Sequence, residues 1–271
     1  MILFPIFNKY LKASRKMRRK SNWYFVHFLL FFILFPALPC LGKEKKAAAS
    51  HQDLVWSQSD GLRHEIFFSK QQNGEWSDPV KITDNNADNL HPVLDIATDG
   101  TKWIFWSAIR PNGISIEYAS FQKEKEEWSE PQKLPMEQNS SIAPSVLADK
   151  KNRIWLVWAG NDGGNDDIYF TCYQNKKKAW SDPQVIHASN EVPDIKPEIA
   201  YTEEGKIEVS WIGFRGNMYK KLTSVYTDKT GWSAEQEKVE RKEEDVQKRQ
   251  EQETDLPSFL PSDSQFLLKI Y

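Results

Sequence analysis

The sequence predicts an all-β fold, a small β-propeller of about four to five four-stranded blades. Three observations lead to this prediction. One short motif recurs at a fixed distance, each repeat holds four short apolar segments separated by turn residues, and aromatic side chains make up 13% of the 271 residues. Abundant aromatic side chains are typical of sheets, and a period of about 40 to 50 residues is typical of propeller blades.

The recurring motif is Trp-Ser-x-Pro. It begins at Trp76, Trp128, Trp180 and Trp232, so consecutive copies lie 52 residues apart, and the last copy, "WSAEQ", lacks the proline. Proline has no N–H to offer a neighbouring strand, and a large flat indole can cover the edge of a sheet. We therefore interpret the motif as a structural feature of the outermost strand of each blade, with stacking on a carbohydrate as the alternative.

Four strand candidates follow one another in each repeat. In the third repeat they are "PSVLAD", "RIWLVWA", "DIYFTCY" and "PQVIH", with Asn, Asp, Gly and Lys in the connecting turns. The runs "WIFW" and "WLVW" are apolar at every position, as expected for strands buried on both faces between stacked neighbours. The repeats predict a propeller over residues 53–235, in which Cys172 is a small strand residue rather than a reactive thiol.

The N-terminal region, residues 1–42, combines a basic segment, an apolar stretch of about 20 residues and the small residue Gly42. These are the features of a secretory signal. An uncleaved membrane anchor and a lipid-modified Cys40 are the alternatives. We predict an exported protein that is periplasmic, at the cell surface or secreted, and attached to a membrane only if this segment is not cleaved.

The charge of the chain is unevenly distributed. The formal net charge is −2, to which residues 1–42 contribute +7, so that the rest of the chain carries −9. Binding to a phosphate backbone requires a basic surface, and an acidic body does not provide one. We therefore exclude nucleic acid as a partner.

The regions that flank the repeats are assigned from composition. Residues 43–52 are predicted to be a linker. Residues 236–255 are almost all charged or amide-bearing and are predicted to be a charged helical or disordered linker. Residues 256–271 are predicted to be the closing strands of the propeller. The tail aligns with the beginning of another repeat, with Pro257 at the position of Pro92 and "FLLKIY" at that of "WIFW". Because the first repeat lacks an inner strand, the tail is expected to supply it. A truncated chain, or an open array completed by a partner, is the alternative.

The repeat resembles the degenerate BNR, or Asp-box, repeats of the sialidase-like β-propeller superfamily over residues 53–235. The shared pattern is a proline-led inner strand, an apolar strand ending in Trp, an Ile-Tyr strand and then the Trp-Ser-x-Pro motif. A strict Asp-box, Ser-x-Asp-x-Gly-x-x-Trp, is absent; the nearest segment, "TDKTGW", has Asp228 one residue too close to Trp232. For an active sialidase the resemblance implies three arginines on a carboxylate, a Tyr–Glu pair and an acidic proton donor, and no Tyr–Glu pair is assigned here.

Candidate ligand-binding residues lie in the loops that connect the strands, where function concentrates on a rigid scaffold. Arg63, Arg110 and Arg215 occupy equivalent loops of three repeats and could converge on a carboxylate, which arginine binds through paired hydrogen bonds. The alternative is that they are solvated loop residues.

A second group of candidates lies in the acidic segment "NDGGNDD". Its Asp162, Asp166 and Asp167 could offer oxygen ligands to Ca²⁺. The spacing fits no EF-hand loop, and a polar hairpin turn is the alternative. We assign no metal site, no cofactor and no catalytic residue.

The function that the sequence favours is that of a binding module or scaffold for a glycan or an envelope protein. The alternatives are a sialidase-like glycoside hydrolase and a structural envelope protein without small-ligand activity. The repeats predict the scaffold, and they do not distinguish among these functions.

Overall fold

The computed structural model of the protein describes residues 51–136, 140–188, 190–238, 256–261 and 264–270. Every regular element among these residues is a β-strand, which confirms the predicted all-β class. No helix among them is long and apolar enough to span a bilayer. The predicted N-terminal signal or anchor and most of the two predicted linkers lie outside the described residues.

The described strands form four units of similar construction. Unit 1 contains β1 (Gln52–Ser59), β2 (His64–Gln72), β3 (Glu75–Trp76), β4 (Val80–Lys81) and β20 (Gln265–Ile270). Unit 2 contains β5 (Asp88–Ile96), β6 (Lys102–Arg110), β7 (Gly113–Gln122), β8 (Glu127–Trp128) and β9 (Gln132–Lys133). Unit 3 contains β10 (Ser140–Ala148), β11 (Arg153–Asn161), β12 (Asp166–Gln174), β13 (Ala179–Trp180) and β14 (Gln184–Val185). Unit 4 contains β15 (Asp194–Tyr201), β16 (Ile207–Arg215), β17 (Met218–Thr227), β18 (Gly231–Trp232) and β19 (Gln236–Glu237).

Within units 2, 3 and 4 the strands pair antiparallel in chain order. The outermost strand is divided into two short pieces, and both pieces pair with the third strand of the unit. Units 2 and 3 are also joined by a single parallel bridge between Ile114 of β7 and Ser140 of β10. Repeated antiparallel units of this kind are the building blocks of a propeller.

The C-terminal tail supplies the inner strand of unit 1. Residues Gln265–Ile270 pair antiparallel with Gln52–Ser57 of β1. This differs from the sequence alignment, which placed "FLLKIY" in the second strand and Pro257 at the start of the first. The reason is that Trp56 of β1 already occupies the second-strand position, so only the inner position is open to the tail. Before β20, Phe259 packs on Trp56 with 5.6 Å between the ring centroids.

The inner strands of units 2, 3 and 4 each carry a proline at a β-bulge. The residues before these prolines, His91, Ala143 and Lys196, have positive φ angles of 54°, 55° and 53°, and the strand register shifts there. These strands were expected to begin at the proline; instead it lies mid-strand, where a bulge interrupts the ladder and the missing N–H is tolerated. The three bulges and β20 line one central cavity, so the inner strands surround a common axis.

Three clusters of buried apolar side chains join consecutive units. They include Phe68 and Trp106 between units 1 and 2, Phe105 and Trp158 between units 2 and 3, and Trp155 and Trp211 between units 3 and 4. No cluster of buried side chains within the described ranges joins unit 4 to unit 1.

The outward face of unit 4 is mixed: Glu208 and Ser210 of β16 are polar, while Ile212 and Phe214 on the same face are apolar. Where unit 3 presents Trp155 and Val157 to its neighbour, the equivalent register positions of β16 hold Glu208 and Ser210. Glu208 forms an ion pair with Lys238 on this face. Polar side chains and an ion pair at these two positions disfavour the apolar burial that joins the other units.

The Trp-Ser-x-Pro motif has the packing role that the sequence predicted for it. Each tryptophan after the first lies against an aromatic ring of the preceding unit: Trp128 on Phe68 at 5.0 Å, Trp180 on Phe105 at 5.8 Å and Trp232 on Phe170 at 5.4 Å between centroids. These contacts add aromatic packing energy at the outer edge of each interface between units.

The serine of the motif continues the hydrogen bonding between the outer strand and its neighbour at the point where the outer strand is divided. Ser181 donates its N–H to the carbonyl of Cys172 at 3.0 Å, and its Oγ accepts the N–H of Cys172 at 3.1 Å. The same two bonds recur at Ser77, Ser129 and Ser233. The serine hydroxyl thus accepts a backbone N–H at the point where the outer strand is divided, in all four copies of the motif.

Candidate functional site

The three predicted arginines are held by separate sets of acceptors. Arg63 Nη1 donates to the carbonyl of Asn85 and to Oδ1 of Asn86, both at 2.8 Å. Arg110 forms an ion pair with Glu117 of the same unit at 2.7 Å. Both guanidinium groups therefore serve to hold local loops, and neither shares an acceptor with the other.

Arg215 is held by two carboxylates of unit 4. Its Nε and Nη2 donate to the two oxygens of Glu235, each at 2.8 Å, and Nη2 also lies 3.2 Å from Asp194. The hydrogen bond from Arg215 lowers the pKa of Glu235 below its ordinary value. Glu235 stands where the other copies of the motif have proline, so the departure of "WSAEQ" from the motif has a structural purpose.

The acidic hairpin of unit 3 separates its three aspartates. Asp162 is exposed at the turn, and Asp166 accepts a hydrogen bond from Asn161 at 3.1 Å. Asp167 instead lies 3.7 Å from Nε2 of His187. Burial raises the pKa of Asp167 above its ordinary value, so this carboxyl group is the one with perturbed chemistry.

Asp167, His187 and Asp194 form a buried cluster at the boundary between units 3 and 4. One ligand atom from each lies within 4.8 Å of the others, an arrangement that could hold a metal ion. Asp194 is fully buried and accepts hydrogen bonds from Trp211 Nε1 at 2.9 Å and Asn190 Nδ2 at 2.9 Å. Sequence reasoning noted these loops but did not assign His187 and Asp194 to a site, because their proximity depends on how the two units stack.

The hydrogen bonds of His187 oppose metal binding at this cluster. Its Nε2 accepts the backbone N–H of Ile168 at 3.1 Å, and its Nδ1 lies 2.9 Å from the carbonyl of Ala188. This places the proton on Nδ1 and leaves no free lone pair on the ring. The Arg215 cation beside Asp194 offsets part of the negative charge of the cluster. We interpret the cluster as a contact that joins units 3 and 4.

A groove of about 1200 Å³ lies at the outer edge between units 3 and 4. Five aromatic residues border it: Trp155, Phe170, Trp180, Tyr226 and Trp232. Trp155 is buried and the Trp180 ring packs on Phe105 of unit 2, so the rings open to the groove are those of Phe170, Tyr226 and Trp232. Polar side chains from β12, β13 and the segment after β13 complete it, among them Asn175, Asp182 and Gln184. Ligand sites are concave and combine apolar surface with oriented polar groups. This groove is concave, and its lining is about as polar as it is apolar.

Arg153 holds one end of this groove. Its guanidinium lies over the rings of Trp155 at 4.9 Å and Tyr226 at 5.8 Å. It also forms ion pairs with Asp149 at 2.5 Å and Asp228 at 2.9 Å. Hydrogen bonds from Lys151 and Arg153 lower the pKa of Asp228, so this Asp-box-like residue ties unit 4 to unit 3.

Cys172 lies in the lining of the groove and is buried. Burial raises the pKa of its thiol to about 12, so the thiol stays protonated at neutral pH. A buried, protonated thiol is inert, in agreement with the structural role predicted for this residue.

Comparison with known proteins shows similarity at the level of the fold. No protein-family model matches the chain, and no curated protein matches it. A protein of unknown function from Dyadobacter fermentans is 15% identical with a TM-score of 0.51, over 64% of this chain and 58% of that one. An endo-arabinase from Bacteroides thetaiotaomicron is 14% identical with a TM-score of 0.48, over 69% of this chain and 76% of that one.

A sialidase is also among the similar structures. The NanB sialidase from Streptococcus pneumoniae is 14% identical with a TM-score of 0.43, over 59% of this chain and 25% of that one. The structural neighbours thus include glycan-active enzymes, and at these identities the likeness concerns the fold alone.

Proposed function

We propose that this protein is an exported, four-bladed β-propeller of sialidase-like repeats that acts as a glycan-binding module. The binding site is the groove between units 3 and 4. The observation that carries the proposal is its lining of three partly exposed aromatic rings, Phe170, Tyr226 and Trp232, with amide, hydroxyl and charged groups beside them. Sugar rings offer C–H faces that pack on aromatic rings and hydroxyls that pair with such polar groups.

The chemistry of the groove favours binding over hydrolysis. Most glycoside hydrolases use two carboxyl groups about 5 to 9.5 Å apart, and a sialidase uses a Tyr–Glu pair with an acidic proton donor, so either mechanism needs more than one carboxyl group at the substrate. Among the described residues that line the groove, Asp182 supplies the single carboxylate. The buried Asp194 of the neighbouring cluster is fully enclosed and hydrogen-bonded, so it is unsuited to contact a glycan.

A glycan array probed with the full-length chain tests the proposal. Oligosaccharides that bind are then titrated against Trp232→Ala and against Trp128→Ala, the same motif position in unit 2, outside the groove. We expect Trp232→Ala to weaken binding roughly two- to tenfold, the value of one aromatic stacking contact. Trp232→Phe, which keeps a smaller ring, should give an intermediate loss.

Thermal unfolding of the variants separates binding from folding. Both alanine variants are expected to lower the melting temperature, because both remove a contact between units. An equal loss of affinity in the two alanine variants, or the absence of any glycan ligand on the array, would contradict the proposal.

A further inference from the structure

We infer that the glycan recognised by the groove is acidic and carries carboxylate or sulfate groups. This inference rests on the proposed function and goes beyond it by stating the charge of the ligand. It begins from the ionic side chains of the groove. Four cations, Lys151, Arg153, Lys176 and Lys177, line it, against the single carboxylate of Asp182. This local excess of positive charge contrasts with the formal charge of −9 on the chain after residue 42.

Two of the four cations are neutralised within the protein. Lys151 and Arg153 both pair with Asp228, and Arg153 also pairs with Asp149. These groups hold units 3 and 4 together and leave little charge for a ligand. The positive charge that is open to a ligand therefore comes from the hairpin between β12 and β13.

That hairpin carries lysines without acidic partners. Lys176 and Lys177 are exposed, and no ion pair joins either of them to an acidic side chain of the described residues. Some exposed lysines elsewhere in the described residues are paired, for example Lys206 with Glu204 at 2.7 Å, and others such as Lys70 are not, so what distinguishes Lys176 and Lys177 is their place beside the groove. Unpaired cations beside an aromatic groove raise the local concentration of anionic ligands and steer their approach.

The equivalent hairpin of unit 2 supports the interpretation by contrast. It reads "KEKE" over residues 123–126, where unit 3 reads "NKKK" over residues 175–178. The turn in unit 2 contains two lysines and two glutamates, whereas the turn beside the groove contains three lysines and no acidic residue. The lysines thus add an anion-binding edge to a site whose aromatic rings contact the sugar.

Titration calorimetry of the full-length chain tests this inference with defined probes. The probes are hexagalacturonate, which carries carboxylates, a κ-carrageenan hexasaccharide, which carries sulfates, neutral xylohexaose, and a hexaglutamate peptide. We expect the acidic sugars to bind at least tenfold more tightly than xylohexaose, and the stronger of the two to identify the anionic group. The advantage should disappear between about 0.1 M and about 1 M NaCl, because the Debye length falls from about 10 Å to about 3 Å.

A charge reversal with a matched control locates the effect. Lys176→Glu/Lys177→Glu should weaken hexagalacturonate binding roughly tenfold, since two weak attractions become two repulsions. Lys70→Glu/Lys133→Glu makes the same change in net charge at exposed positions outside the groove and should leave the affinity unchanged.

The outcomes distinguish this inference from the proposed function. If xylohexaose binds as tightly as hexagalacturonate and charge reversal has no effect, the ligand is not acidic, while the glycan-binding module stands. If hexaglutamate binds as well as hexagalacturonate, the site recognises charge without sugar, and the inference is overturned. If neither acidic sugar binds while the glycan array yields a neutral ligand, the inference is overturned, and if the array yields no ligand at all, the proposed function itself fails.

Discussion

Replacing Asp194 by asparagine tests whether the cluster of Asp167, His187 and Asp194 joins units 3 and 4. Asp194 is fully buried at the start of β15. Its carboxylate accepts hydrogen bonds from Trp211 Nε1 at 2.9 Å, Asn190 Nδ2 at 2.9 Å and Arg215 Nη2 at 3.2 Å. Asparagine keeps the shape of the side chain and one acceptor for Trp211, but it places an NH₂ group against two donors.

The expected loss follows from those contacts. A hydrogen bond to a charged group contributes about 1.5 to 3 kcal/mol. Arg215 keeps its pair with Glu235 and is partly exposed, so the cost lies at the lower end, about 2 kcal/mol. In a protein of this size each kcal/mol corresponds to about 2 to 4 °C, so the melting temperature of Asp194→Asn should fall by about 4 to 8 °C.

Thermal and urea unfolding of the full-length chain, followed by circular dichroism, measure this change. The matched control is Asp166→Asn, which alters a partly exposed carboxylate of the same acidic hairpin with one side-chain donor. The control should shift the melting temperature by less than about 2 °C. A shift for Asp194→Asn no larger than that of the control would refute the argument that the cluster joins the two units.

Three further predictions concern the motif, the pH response and the tail. Ser181→Ala removes the acceptor for the N–H of Cys172, and urea unfolding should register a loss of about 1 to 3 kcal/mol; an unchanged midpoint would contradict the role of the serine at the divided strand. In the folded protein the pKa of Glu235 is lowered from its ordinary 4.5, so the ionised carboxylate stabilises the fold above about pH 4.5, and this stabilisation is lost as the pH falls through the folded pKa. Glu235→Gln should therefore reduce the fall in melting temperature at acidic pH. An unchanged fall would contradict the role of the pair with Arg215. Deleting residues 256–271 removes β20 and the cover on Trp56, so the melting temperature should fall, and an unchanged value would show that the tail is dispensable.

The sequence predicted the repeating scaffold because its signals are local. Each signal depends on a few neighbouring positions: the tryptophans spaced by 52 residues, the strands that are apolar on both faces, and the turn residues. The all-β units follow from these signals. The decay of the last motif copy also marked the end of the array. The structure adds that Glu208 and Ser210 of unit 4 stand where unit 3 has Trp155 and Val157.

The candidate site was less accessible to sequence reasoning. The arginines were selected for their equivalent loops, yet Arg63, Arg110 and Arg215 each bind acceptors of their own unit. Of the aspartates, Asp167 meets His187, a contact between separate segments of the chain. Equivalent positions in the repeats lie at the same level along the strands and on the same face of each unit. The acceptor that a long side chain reaches, however, depends on the neighbouring residues, which differ from unit to unit.

The sequence by itself determined the period, the strand content of each unit and the packing edge marked by Trp-Ser-x-Pro. The tertiary structure alone decided that the tail becomes the inner strand of unit 1, that Glu235 in the vacated proline position holds Arg215, and that rings from units 3 and 4 form one groove. The physical reason is that local pattern sets the course of each strand, whereas a binding surface is made by side chains about fifty residues apart, which only the stacking of sheets brings into contact.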